Sequence, residues 1–257
     1  MAPRRLLLVR FACAFVALAF MSVASAPAQA TEDVDLQLNL MVDASGSIDE
    51  REFALQRLGY ARAFKNPRVV NAIRSGALGK IAVAYAEWTG PTLQTMVIGW
   101  TLLTDAASAH AFADELERRP RALFSGGTAV GSGILFGAAA IEARPFAAVR
   151  RVIDVSGDGA TNRGLPAAIA RDQVVARGFT VNGLPILTDD PFLDRYYETN
   201  VIGGPGAFMI AAKGFEDFAA AILAKLVREI AGSAGWRETA GSATGSGVAC
   251  AYAVACR

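Results

Sequence analysis

The chain has 257 residues, of which 53% are hydrophobic and 19% charged, with 25 basic and 24 acidic residues and a net charge of +1. This much apolar surface excludes an intrinsically disordered protein. The near-zero charge argues against nucleic acid as a partner, and the single histidine, His110, excludes a zinc site made of three histidines.

The first thirty residues have the pattern of a cleaved secretory signal. Arg4 and Arg5 form a basic start, an apolar run covers residues 11–21, and Ala28-Gln29-Ala30 matches the usual cleavage pattern. A membrane anchor is the alternative, but the run falls short of the roughly 20 residues that a spanning helix needs. Cleavage would leave 22 basic and 24 acidic residues, a net charge of −2. We therefore expect an exported protein, periplasmic or extracellular, whose mature chain has no membrane-spanning segment.

Strand and helix patterns alternate after the signal. Alternating or wholly apolar segments predict strands at residues 35–42, 80–88, 95–103, 151–155, 179–187 and 207–211. Helical patterns are predicted at Glu50–Lys65 with Ser47 or Asp49 as its cap, at 105–119, after Thr128 as far as Glu142, at 165–177, and along the stripe Phe215, Ala219, Ile222, Leu226 and Ile230. This order predicts an α/β fold over residues 31–231. We expect a doubly wound, mostly parallel sheet with one antiparallel edge strand and helices on both faces.

Beyond the domain, residues 232–257 read as a Gly/Ser-rich linker followed by a tail that contains Cys250 and Cys256. A straight strand would hold the two cysteines about 20 Å apart, beyond the roughly 7 Å that a disulfide allows between Cα atoms. We expect a loop closed by a disulfide. The alternative is a disordered tail with unpaired or intermolecular thiols.

Three polar clusters follow predicted strands or precede helices, at the edge where such sheets bind ligands. Asp43, Ser45 and Ser47 come directly after the first strand, Thr128 lies in a glycine-rich loop, and Asp158 follows the strand at 151–155. Taken singly, these residue types are common helix caps and turn formers. Together they supply two carboxylates and three hydroxyls, which are hard oxygen ligands. Such a set suits Mg²⁺, or alternatively Mn²⁺ or Ca²⁺.

The segments Asp43-Ala-Ser-Gly-Ser47, Gly127-Thr128 and Asp158-Gly159, in this order, resemble the metal-ion-dependent adhesion site of the von Willebrand factor type A domain. The resemblance covers about residues 34–231 and is greatest to exported bacterial members of unestablished function. It implies that Ser45, Ser47 and Thr128 contact a metal ion through their hydroxyls. Asp43 and Asp158 would hold the ion directly or through water.

In this family, one coordination position is left for an acidic side chain of the partner. The resemblance therefore implies a protein-binding module, not an enzyme, whose protein ligand presents an exposed carboxylate. Two alternatives remain: a Mg²⁺-dependent hydrolase with Asp43 or Asp158 as its base, and a purely structural domain that binds no metal.

Three other features complete the prediction. Asp154 interrupts a strand that is usually apolar in the family, and we expect it to be structural, paired with Arg150 or Arg151, or to support the metal ligands from behind. His110 is expected on a helix remote from the polar clusters. The segment 187–206 is a candidate rim of the binding surface, with a solvated loop as the alternative; its polar residues are Asp189, Asp190, Asp194, Tyr196 and Tyr197.

Overall fold

A mixed five-stranded sheet forms the centre of the part of the chain that the computed structural model describes, residues 31–144 and 146–235. Its strands are β1 (Asp33–Asp43), β2 (Ile81–Trp88), β3 (Gln94–Leu103), β4 (Ala147–Gly157) and β5 (Thr180–Pro185). They lie in the order β3-β2-β1-β4-β5, and β3 alone among them runs antiparallel to its neighbour. The predicted fold class, including the antiparallel edge strand, is confirmed. The predicted signal and the cysteine tail lie outside the described residues.

Helices cover both faces of the sheet. They are α1 (Glu50–Lys65), α2 (Pro67–Arg74), α3 (Ala106–Arg118), α4 (Val130–Ala143), α5 (Ala167–Val175), α6 (Leu193–Tyr196), which continues into a π-helical turn, and α7 (Phe218–Gly235), with a kink at Gly232. One buried apolar cluster joins the sheet to α1, α2, α3 and α7, and a second joins its other face to α4, α5 and the π turn. Within the described residues, no helix is both long enough and apolar enough to span a bilayer.

Local capping explains why α1 keeps its predicted bounds. The backbone N–H of Glu52 donates to Asp49 Oδ1 at 2.8 Å, and the Glu52 carboxylate accepts the N–H of Asp49 at 2.9 Å. This reciprocal pair makes Asp49, not Ser47, the cap of the helix. Asn66 ends α1, and Pro67 occupies the first turn of α2, where its missing N–H costs nothing.

The strand predicted at 207–211 is not formed. Met209 makes only an isolated parallel bridge to Gly183 of β5, and Ala212 makes one to Ile186, just beyond the end of β5. Pro185 lies between these two bridges and has no N–H to donate, so the ladder is interrupted there. This segment therefore covers the β5 edge without becoming a sixth strand.

Two helix boundaries also differ from the prediction. Phe215 lies in a short 3-10 turn, Phe215–Asp217, and α7 begins only at Phe218. The helix predicted at 165–177 is shortened to α5, because Pro166 precedes its first residue. His110 lies on a helix, α3, as predicted, and it is exposed there.

Candidate metal centre

The loop between β1 and α1 gathers the first cluster of predicted ligands at the carboxyl end of the sheet. Asp43 is the last residue of β1 and is fully buried, and its Oδ1 accepts the backbone N–H of Ser45 at 2.7 Å. The hydroxyls of Ser45 and Ser47 lie in hydrogen-bond contact, 3.1 Å apart. The alternating spacing of these residues thus turns three oxygen-bearing side chains toward one another.

Asp158 joins this cluster because β4 is the parallel neighbour of β1. Met41 and Val42 pair with Val155 and Ser156, so the two strands end side by side. The hydroxyl of Ser47 donates to Asp158 Oδ1 at 3.1 Å. From β1 the chain adds strands first on one side, β2 and β3, and then on the other side, β4 and β5. Ligands bind at such a switch point between neighbouring strands in open α/β sheets.

Gly157 lets the two acidic residues approach. A Cβ atom at this position would lie 2.7 Å from Asp43 Oδ2, closer than real Cβ contacts allow. Any other residue would therefore displace the Asp43 carboxylate.

Thr128 is held beside the same cluster by the loop that follows Asp158. Its N–H donates to Asn162 Oδ1 at 2.9 Å, and its carbonyl accepts the N–H of Asn162 at 2.9 Å. A Cβ atom on Gly159 would lie 3.6 Å from the Thr128 hydroxyl oxygen, an ordinary contact distance. Thus the chain brings Asp43, Ser45, Ser47, Thr128 and Asp158 to one end of the sheet.

The electrostatics of this cluster favour a bound cation. Burial, followed by the nearby charge of Asp158, raises the pKa of Asp43 to about 8, and burial also raises the pKa of Asp158. Asp43 Oδ2 is buried without a hydrogen-bond partner. An orphaned carboxylate oxygen, a second carboxylate and three hydroxyls fit a hard divalent ion. Among the described residues, no group of three or more His, Cys, Asp or Glu side chains offers a different kind of metal site.

Tyr197 differs from its predicted place on the exposed rim. Its side chain is fully buried, and a Cβ atom on Gly157 would lie 3.0 Å from its hydroxyl and 2.7 Å from Asp43 Oδ2. Burial, and then the charge of Asp43, raises the pKa of Tyr197 well above its ordinary value, so the phenol keeps its proton. Tyr197 therefore belongs to the floor behind Asp43. Of the other polar residues named in the 187–206 segment, Asp189 is exposed, whereas Asp190, Asp194 and Tyr196 are half-buried.

Arg121 and Glu87 were not found from the sequence, yet they fix the loops of the site. Arg121 is almost buried and donates to the carbonyls of Ala44, Ser45 and Ile48, at 3.0 to 3.2 Å. The Glu87 carboxylate, near the end of β2, accepts the N–H groups of residues 122 and 123 at 2.8 and 2.9 Å. No local spacing pattern could have revealed them, because each residue is separated from its hydrogen-bond partners by more than 30 residues of chain.

The predicted pairing of Asp154 with Arg150 or Arg151 is wrong. Asp154 is fully buried, and its carboxylate pairs with Lys225 of α7 at 2.5 Å. Arg150 donates instead to the carbonyls of Glu229 and Ile230, and Arg151 donates to the carbonyl of Arg177, in the turn after α5. The strand alternation directs Asp154 toward α7, which the local sequence does not reveal.

Solved von Willebrand factor type A structures share this fold. Proximal thread matrix protein 1 from the mussel byssus, in a structure described as having a zinc-occupied metal-ion-dependent adhesion site, matches with a TM-score of 0.53 and 15% identity over 76% of this chain and 45% of that chain. A von Willebrand factor type A protein from Catenulispora acidiphila matches with a TM-score of 0.54 and 17% identity, over 77% and 43%. The von Willebrand factor domain of the type V pili tip protein Mfa5 from Porphyromonas gingivalis matches with a TM-score of 0.55 and 12% identity, over 82% and 98%.

The chain spans less than half of the first two of these structures and nearly all of the third. No curated protein sequence matches it. The expected resemblance to the von Willebrand factor type A fold is confirmed. By sequence, residues 33–234 match one family model, and the chain belongs to that family, which is described as "Protein of unknown function (DUF1194)".

Proposed function

We propose that this protein is an exported, metal-ion-dependent protein-binding module. A divalent cation, Mg²⁺ by the chemistry of the donors, would be held by Asp43, Ser45, Ser47, Thr128 and Asp158. The observation that carries the proposal is the buried, unpartnered Asp43 Oδ2 beside a second carboxylate. Two buried acids without a cation are costly, whereas a divalent ion balances both charges.

The ion would supply a positive centre that accepts one further oxygen, and a carboxylate of the partner fits that position. The protein's own residues pre-organise the site for this role. Asn162 fixes Thr128, and Arg121 holds the β1–α1 loop through three carbonyls. The zinc described in the adhesion site of the mussel protein, and the pilus-tip setting of Mfa5, support a metal-dependent adhesive role. The signal pattern at residues 1–30 supports export.

Thermal unfolding in Mg²⁺ and in a chelator tests the proposal. A ligand that binds only the folded state at about 100 times its Kd stabilises by about 2.7 kcal/mol, which corresponds to a rise of roughly 5–10 °C in the Tm of a domain of this size. Asp43→Asn keeps the shape of the side chain and an oxygen for the N–H of Ser45 but removes a charge. We expect this variant to lose the Mg²⁺-dependent rise without a lower Tm in chelator.

Asp172→Asn is the matched control, since Asp172 is an exposed acid on α5 whose carboxylate pairs with Arg171. It should keep the full response to Mg²⁺. The proposal would be contradicted if Mg²⁺ and Mn²⁺ left the Tm of the wild type unchanged. It would also be contradicted if Mg²⁺ raised the Tm of Asp43→Asn as much as that of the wild type. Mg²⁺-dependent turnover of phosphoesters that disappears in Asp158→Ala would instead favour the hydrolase.

A further inference from the structure

A pocket beside the candidate metal centre offers hydrogen-bond donors and no acidic side chain. It has a volume of about 400 Å³, and its lining includes Asn162, Arg163, Tyr196 and Asn200. The metal centre shares one wall with it, because Asn162 also holds Thr128 through the bond at 2.9 Å. A group bound in this pocket would therefore lie next to a group bound at the metal.

Arg163 is the charged member of this pocket. Its side chain is exposed, and among the described residues no carboxylate lies within ion-pairing distance of it. The stem of Arg163 lies against Gly127, where a Cβ atom would come within 2.4 Å of its Cδ. The backbone N–H of Arg163 also approaches the carbonyl of Thr128 at 3.4 Å. The glycine thus allows the guanidinium stem to lie directly beside the metal-binding loop.

The neighbouring polar groups also favour an acceptor as the ligand. The hydroxyl oxygen of Tyr196 accepts the N–H of Thr161 at 3.1 Å, which leaves its own proton to donate. Asn162 Oδ1 is already occupied by Thr128, and its amide Nδ2 makes only a long contact of 3.5 Å with the Thr128 hydroxyl. A guanidinium, a phenol O–H and an amide N–H together suit a carboxylate.

We propose that this pocket binds a second carboxylate of the partner, so that the protein selects an acidic segment with two nearby carboxylates. One would bind the metal ion and the other would bind Arg163. This inference rests on the proposed function, since the first carboxylate needs the metal. It names the partner chemistry that the metal alone leaves open: a pair of acidic groups rather than a single one.

Blocked peptides of glycine and glutamate provide the test, measured against the full mature chain in Mg²⁺ by ligand-observed NMR. The two-acid peptides carry two glutamates separated by one, two or three glycines, and the one-acid peptides replace the second glutamate with glutamine. A charge-assisted hydrogen bond at a partly exposed site is expected to give about a three- to tenfold preference for a two-acid peptide. A one-glutamate peptide with a free C-terminus distinguishes a terminal carboxylate from a side-chain carboxylate as the second group.

Arg163→Ala should reduce this preference to about onefold, and Arg163→Lys should retain part of it. Arg68→Ala removes an equally exposed arginine from α2 and should leave the preference unchanged. Equal affinity of wild type for one-acid and two-acid peptides, or no binding of any peptide to the Mg²⁺-stabilised protein, would overturn the second carboxylate site. Failure of the proposed function is recognised separately, because the wild-type Tm would then not respond to Mg²⁺.

Discussion

Asp154 lies in the middle of β4 with its carboxylate against α7, and it shares one lysine with a second acid. Lys225 contacts both Asp154 at 2.5 Å and Glu229 at 3.2 Å, and all three side chains are buried. Asn182 of β5 donates to Glu229 at 2.7 Å, and the titratable groups Tyr60 of α1 and Tyr197 also lie near Asp154. Two carboxylates and one ammonium leave a negative charge when all are ionised, so this cluster favours an extra proton.

Because Asp154 holds this proton in the folded state, its contribution to the free energy of unfolding depends on pH. Burial, and then the charge of Glu229, raises the pKa of Asp154 from 3.8 to about 8. Because the pKa is raised in the folded state, the stabilisation is complete below about pH 4. It is then lost progressively as the pH rises from about 4 through about 8. We expect the free energy of unfolding of the wild type to fall by about 2–4 kcal/mol more than that of Asp154→Asn between pH 5 and pH 8. Urea denaturation at each pH measures this difference.

The comparison between the two proteins is needed because Asp43 titrates in the same range. Asp172→Asn should follow the wild-type curve throughout. Lys225→Met should destabilise the protein by about 3–5 kcal/mol near neutral pH, because it removes the ammonium group that balances the buried Glu229 carboxylate. Parallel curves for the wild type and Asp154→Asn would show that Asp154 is ionised in the folded state at pH 5.

At the scale of elements, α4 packs against the sheet through glycines. A Cβ atom on Gly137 would lie 2.9 Å from Ile153 and 3.2 Å from Met41, and one on Gly133 would lie 3.1 Å from Trp88. Because α4 begins just after Thr128, this close packing also sets where that predicted ligand lies. The apolar sequence of the helix predicts burial, but only the neighbouring strands show why side chains are missing at these positions.

Gly137→Ala tests this packing. Alanine favours a helix by about 1 kcal/mol over glycine, but an added methyl in a filled core costs about 1–3 kcal/mol. We expect a net loss of up to about 2 kcal/mol in the free energy of unfolding, measured in urea with chelator present. Gly99→Ala on β3 is the matched control, since no atom lies within 4 Å of the added Cβ. Stabilisation by Gly137→Ala would mean that α4 has room to move from the sheet.

At the scale of the whole molecule, one sheet supports two apolar cores. Their buried members all lie between Leu36 and Ile230, and the sheet is completed by β5. Strands β1 and β4 contribute side chains to both cores, because successive residues point to opposite faces. Loss of one core would therefore expose one face of the strands that support the other.

This arrangement predicts that residues 31–235 form a single cooperative unit. A chain shortened to these residues should unfold in one transition, with the same midpoint by far-UV and near-UV circular dichroism. Its Tm should lie within a few degrees of that of the chain 31–257, and its response to Mg²⁺ should be retained. Two separate transitions, or loss of the Mg²⁺ response on shortening, would contradict this organisation.

Features that depend on neighbouring residues could be predicted from the sequence. The bounds of α1 follow from Asp49 and Glu52, three residues apart, and the order of strands and helices follows from apolar periodicity. The set of Asp43, Ser45 and Ser47 was visible for the same reason, since one tight loop turns these side chains toward a common point. Thr128 and Asp158 were added from their places in the predicted order of strands and helices, and the resemblance to a family then made the set of five specific.

The tertiary structure decided which distant groups meet. Arg121 contacts the β1–α1 loop, Tyr197 lies behind Asp43, and Asp154 pairs with Lys225. In each case the partners are separated by about 70 or more residues in the sequence. The strand predicted at 207–211 likewise did not form because of a residue in a different segment, Pro185, which has no N–H to donate to it. Local sequence fixes backbone preference and apolar pattern, because these act within a few residues. The partner of a buried charge is set by which strands and helices become neighbours, and only the folded chain determines that.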